Sequence, residues 1–217
     1  MDIAPKARTA SLFLAALLTS AARADDTRYT LTVPDPATTF DLRQPTQPTD
    51  PKPEEKKQPR FGEKSAEWAT FSFGAASNLA DATDWNLRVA WSHFVVENIE
   101  FSVELNTWYF DQAGDNAFGV NPAFVFRWHF VNTQDWTLFA DVGIGILLTT
   151  DVVPERGTGF DFTPRVGGGF TYRLDDRGDR LQVGLRWHHI SNARIEGDVG
   201  NPSRDGIMLY AGVMIPF

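Results

Sequence analysis

Residues Glu97–Phe110, ENIEFSVELNTWYF, carry the reading that decides the fold. Ile99, Phe101, Val103, Leu105, Thr107 and Tyr109 fall on one face, and Glu100, Ser102, Glu104 and Asn106 fall on the other. A two-residue period is the mark of a β-strand with one apolar and one polar side. A soluble sandwich also alternates, but it turns the apolar side inward and leaves its carboxylates in water. Here the polar side mixes carboxylates with small polar groups, and the apolar side is a nearly unbroken aromatic and aliphatic band. That combination suits a small barrel with lipid outside and a charged network within.

The same arithmetic repeats along the chain. Trp85, Leu87, Val89 and Trp91 oppose Asn86, Arg88 and Ser92. Phe118, Val120, Phe124, Phe126, Trp128 and Phe130 oppose Gly119, Asn121, Arg127 and His129. Trp136 to Leu148, Phe160 to Tyr172, Arg180 to Ser191 and Ile207 to Phe217 follow suit, and Trp68 to Ala76 is the least regular. The expected fold is all-β: an eight-stranded antiparallel transmembrane barrel over residues 66–217, with strands long enough to cross a bilayer at a tilt. Closure is required because unpaired strand edges are not tolerated in hydrocarbon. A final aromatic, Phe217, fits an outer-membrane barrel.

Composition narrows the field further. The chain has 217 residues, 42% of them hydrophobic and 13% aromatic, with no cysteine. Disulfides, thiol nucleophiles and cysteine zinc sites are therefore excluded. A formal charge of −8 is the wrong sign for a nucleic-acid partner.

The N-terminal part reads differently. Lys6 and Arg8 precede the apolar run Ser11 to Leu18, and Ala22-Arg23-Ala24 has the form of a cleavage site. Residues 1–24 are thus expected to be a cleaved signal peptide. Removing them leaves 17 basic and 27 acidic residues, a mature charge of 17 − 27 = −10. Residues 25–65 hold seven of the thirteen prolines and little to bury, which predicts an extended, disordered periplasmic linker.

With that linker in the periplasm, outer loops are expected near 78–83, 111–116, 149–158 and 192–205. The seventh strand then ends at the outer surface in Trp187-His188-His189-Ile190-Ser191-Asn192-Ala193. His189 and Ser191, two residues apart on a strand, share the lipid-facing side with Leu185 and Trp187. An imidazole there can act as general base for the serine hydroxyl, and Asn192 with nearby backbone N–H groups can stabilise an oxyanion. The bland alternative makes both residues polar members of the interfacial girdle. His188 and His189 point to opposite faces, so they cannot chelate one metal. Neither a metal nor a cofactor is expected. The run Gly167-Gly168-Gly169 has no helix after it and reads as close strand packing rather than a phosphate loop.

His189-Ile190-Ser191-Asn192-Ala193, followed by Asn201-Pro202 and the last strand, resembles the PagL-type lipid A 3-O-deacylases. The specific motif spans only about residues 189–205. The resemblance implies an outer-membrane barrel acting on lipid A, or lipopolysaccharide, in the outer leaflet. It implies Ser191 as nucleophile, His189 as base, and Asn192 with Ala193 at the oxyanion and substrate. The family's third residue, a glutamate opening the last strand, is missing: its position falls on Ile207 or Met208. Asp205 shares the parity of Ile207 and is the candidate acid, ahead of the loop residues Glu196 and Asp198.

Two functions therefore stand. One is a carboxylic ester hydrolase that removes the 3-position acyl chain of lipid A with a Ser–His pair. The other is a non-catalytic structural or adhesive barrel that has lost the acidic residue. The sequence leaves acyl-chain preference and oligomeric state open.

Overall fold

The computed structural model describes residues 59–78, 83–197 and 201–217. The expected signal peptide, most of the linker, the 79–82 loop and Asp198 lie outside the described residues. Among the described residues nine strands form: β1 (Glu67–Asn78), β2 (Thr83–Val96), β3 (Ile99–Phe110), β4 (Ala117–Asn132), β5 (Trp136–Val153), β6 (Thr158–Phe162), β7 (Arg165–Arg173), β8 (Arg180–Ile190) and β9 (Arg204–Pro216). All ladders are antiparallel, β1 pairs with β9, and β4 pairs with β5, so the sheet closes on itself. β6 and β7 occupy one position in the barrel, which makes it eight-stranded as the alternation predicts. No helix forms among the described residues.

The break between β6 and β7 is a departure from the continuous strand expected over 160–172. It falls at Thr163-Pro164, because proline has no N–H to give the ladder. The contacts around it are kept by other atoms: the Thr163 N–H donates to the Gly145 carbonyl, and the His189 N–H donates to the Pro164 carbonyl. The β2–β3 turn lies at 97–98, with Asn98 in the left-handed region.

Alternation sorts the side chains as a lipid solvent requires. Leu87 is 60% exposed and Trp128 58%, whereas Glu104 is 1% exposed. Water would reverse that order, since apolar surface leaves it and carboxylates stay. The lumen is filled rather than open. Glu104 takes Arg88 at 3.0 Å, Arg186 at 3.0 Å and Arg165 at 3.4 Å, while Asp141 takes Arg186 at 2.8 Å and Arg127 at 3.3 Å. Glu100 binds Arg127 at 2.6 Å and His129 at 3.1 Å. Buried charges survive only when paired in this way. The triple glycine has a packing cause: a Cβ on Gly169 would stand 2.1 Å from the Val183 carbonyl oxygen.

At the end where β1 starts and β9 finishes, residues 59–65 are more than linker. Phe61 is buried among Trp68, Phe94 and His129, and the Arg180 guanidinium lies 4.2 Å over its ring. The Phe61 carbonyl accepts from Asn132 and the Gly62 carbonyl from the Asn98 N–H. The segment thus stoppers this end of the lumen. Burying such a ring contributes about 1.5–3 kcal/mol. At the far end, Trp108, Phe110, Ile190 and Met208 form a second apolar layer.

Candidate active site

β8 delivers His189 to the far end of the barrel on its outer face, next to the outward-facing Trp187, whose ring stacks on the imidazole at 6.0 Å and 29°. His188, one residue earlier, faces the lumen and packs against Trp108. The two histidines therefore serve opposite sides, as their parity requires.

Ser191 follows the last residue of β8. It is held by an isolated bridge: the Phe162 N–H donates to the Ser191 carbonyl at 2.8 Å, and the Ser191 N–H donates back to Phe162 at 3.2 Å. Its hydroxyl stands 2.9 Å from His189 Nε2. On the other side of the ring, Nδ1 is 3.0 Å from Asp205 Oδ1. An ionised carboxylate only accepts hydrogen bonds, so Nδ1 carries the proton and Nε2 is left to accept from the serine hydroxyl. That is the tautomer a general base needs.

Asp205 reaches the imidazole because β9 begins at Arg204, earlier than the expected Ile207. His189 and Asp205 are direct cross-strand partners in the β8–β9 ladder. Such partners hold their Cβ atoms about 4.5–5.5 Å apart, a span that a short aspartate side chain fits. Ser203 Oγ lies 3.5 Å from the other carboxylate oxygen. Of the alternatives, Met208 faces the lumen, Ile207 is an exposed aliphatic and Glu196 is exposed in the loop.

The turn after Ser191 is tight. Ala193 (φ 52°) and Arg194 (φ 64°) are consecutive non-glycine residues in the left-handed region, an uncommon conformation for residues with a Cβ. The buried Asn192 stabilises it by accepting the Arg194 N–H on Oδ1 at 2.9 Å, and its carbonyl accepts the Ile195 N–H. Asn192 and Ala193 thus follow the serine directly, while His189, Ser191 and Asp205 form one hydrogen-bonded series. Sequence reasoning missed Phe162, Pro164 and Trp187 as supports. Only Trp187 left a signal, by sharing parity with His189.

A family model described as lipid A 3-O-deacylase (PagL) matches residues 72–214. The crystal structure of the outer membrane enzyme PagL superposes with a TM-score of 0.52 at 20% identity, covering 69% of this chain and 100% of that one. Neisserial surface protein A gives a TM-score of 0.52 at 16% identity, covering 70% of this chain and 96% of that one. No curated protein matches the sequence significantly. At these identities the superpositions speak to the fold, an outer-membrane barrel.

Proposed function

The chain belongs to the lipid A 3-O-deacylase (PagL) family, and on that premise we propose that it hydrolyses the 3-position acyl ester of lipid A in the outer leaflet. The observation that carries this reading is the series Ser191 Oγ–His189 Nε2, 2.9 Å, and His189 Nδ1–Asp205 Oδ1, 3.0 Å, in which the imidazole and the carboxylate are part-exposed and Ser191 is 8% exposed. An esterase for a membrane lipid needs its nucleophile where the ester linkage lies, at the boundary of hydrocarbon and water.

In the proposed reaction the Ser191 oxygen attacks the ester carbonyl carbon as His189 Nε2 takes the hydroxyl proton. Asn192 and the Ala193 N–H stabilise the oxyanion. Collapse breaks the bond to the sugar oxygen, and the imidazolium returns its proton to that leaving oxygen. Water, deprotonated by His189, then attacks the acyl-serine and releases the fatty acid, restoring the Ser191 hydroxyl. Asp205 keeps the imidazole in the required tautomer and stabilises its charged form. No cofactor is needed for this chemistry. Residues 1–24 serve as export signal and the proline-rich stretch as periplasmic spacer.

A non-catalytic barrel is the second reading, favoured by the absence of the family's glutamate from the last strand. Mass spectra of lipid A from cells expressing wild type or Ser191→Ala separate the two. Loss of one hydroxyacyl chain with wild type alone supports the deacylase. Unchanged lipid A with a folded barrel in the outer membrane supports the other.

A further inference from the structure

Beyond the series itself, we propose that Arg204 is a positioning residue for Asp205, acting as a clamp from the luminal side; this rests on the catalytic reading above. Arg204 and Asp205 pair with Ile190 and His189 of β8. From the luminal side Arg204 reaches across β1 to β2. Its Nε and Nη2 donate to the Asp84 carboxylate on β2 at 2.9 and 2.5 Å, and Nη2 also donates to the Asp111 carbonyl just past β3 at 2.9 Å. The arginine side chain is 7% exposed and the aspartate 0%.

A buried two-pronged guanidinium–carboxylate pair is among the strongest and most directional polar contacts. Arg204 and Asp205 are adjacent and face opposite ways, so fixing one fixes the backbone from which the other projects. Aspartate has a single methylene, and its carboxylate meets Nδ1 only while the two strands stay in contact. A glutamate tolerates displacement of the strand end; this aspartate does not. The clamp is thus what makes the shorter acid workable here.

The test is a set of variants, each checked for a folded barrel by heat-modifiable electrophoretic mobility. Two readouts are taken: lipid A deacylation, and the rate at which a small fluorophosphonate labels Ser191, which requires no lipid. Arg204→Gln and Asp84→Asn are each expected to lower kcat and the labelling rate about 10²-fold, the scale of a 1 Å misplacement, with KM unchanged. The double variant should be no worse than either single one. Asp205→Glu should lower activity in the wild-type background and raise it in the Arg204→Gln background, a reversal that general destabilisation does not produce. Where Arg204→Gln does not fold, Asp84→Asn, which keeps the side-chain shape, replaces it as the background for the reversal. Folded variants with kcat and labelling within about twofold of wild type, or Asp205→Glu acting alike in both backgrounds, overturn the proposal. A wild type that labels at Ser191 but leaves lipid A intact refutes the substrate and leaves the clamp to be judged on labelling. A wild type that does neither refutes both.

Discussion

His189 and Asp205 stand directly opposite each other on β8 and β9, with Nδ1 3.0 Å from Oδ1, while the other ring nitrogen meets the Ser191 hydroxyl at 2.9 Å. In the proposed reading Asp205, which shares a face with Ile207, serves as the acid beside His189. Asp205→Asn preserves the shape of this contact but offers an amide that can donate to Nδ1 and hold the wrong tautomer. By analogy with serine proteases, kcat should fall about 10⁴-fold, measured on lipid A in detergent micelles with the barrel folded. A fall of less than tenfold would remove Asp205 from the mechanism.

Ser191 and His189 act as a unit in this reading, so their losses should not add. Ser191→Ala, His189→Ala and the double variant are expected to share one residual rate. A double variant slower than both singles by the product of their effects would mean that the two side chains work separately.

How far this site was legible follows from which contacts are local. The alternation in Glu97–Phe110 is readable because lipid and lumen impose opposite chemistries on successive residues. His189 and Ser191 are readable together because both lie on one stretch of chain. Parity also finds Asp205, but its pairing with His189 depends on the β8–β9 register across the residues between Ser191 and Ser203, which no local rule specifies. Phe61 is invisible for another reason: a lone aromatic in a proline-rich stretch has no period, and only the stoppered lumen gives it a place. The same holds for Phe162, whose bridge to Ser191 arises from a strand broken by Pro164.

Glu104 is the hub of the lumen, with Arg88, Arg165 and Arg186 within 3.4 Å. Glu104→Ala strands buried cations without a counter-charge, a change that costs about 3–5 kcal/mol. Urea unfolding of the barrel in lipid vesicles should record that loss. A variant as stable as wild type would mean that Asp141 and internal water carry the arginines without it.

Phe61→Ala should separate stability from catalysis. The ring lies at the Arg180 end of β8, and Ser191 is eleven positions further on, about 37 Å away at the rise of a strand. Truncating a buried phenylalanine costs about 3–5 kcal/mol, so the unfolding midpoint should drop. Deacylation well below that midpoint should stay within about twofold of wild type. A specific loss of kcat would reveal coupling between the two ends of the barrel.

Gly206 offers the sharpest packing test of how Asp205 is held. It pairs with His188, and its Cα lies under that imidazole: a Cβ added here would stand 2.7 Å from His188 Cε1 and 2.9 Å from Nε2. His188 is itself confined against Trp108, 5.1 Å between ring centroids, so the ring has little room to retreat. The clash is relieved by moving the β9 backbone toward lipid, and Asp205 is the adjacent residue. Gly206→Ala should therefore lower kcat about 10²-fold with little change in KM, the scale of a 1 Å displacement. Trp108→Phe frees space beside His188 and should recover part of the loss, whereas alone it should leave kcat near wild type. Recovery without a change in unfolding midpoint would tie the effect to geometry at Asp205 rather than to stability. A Gly206→Ala barrel with full activity would mean that His188 yields and the strand does not.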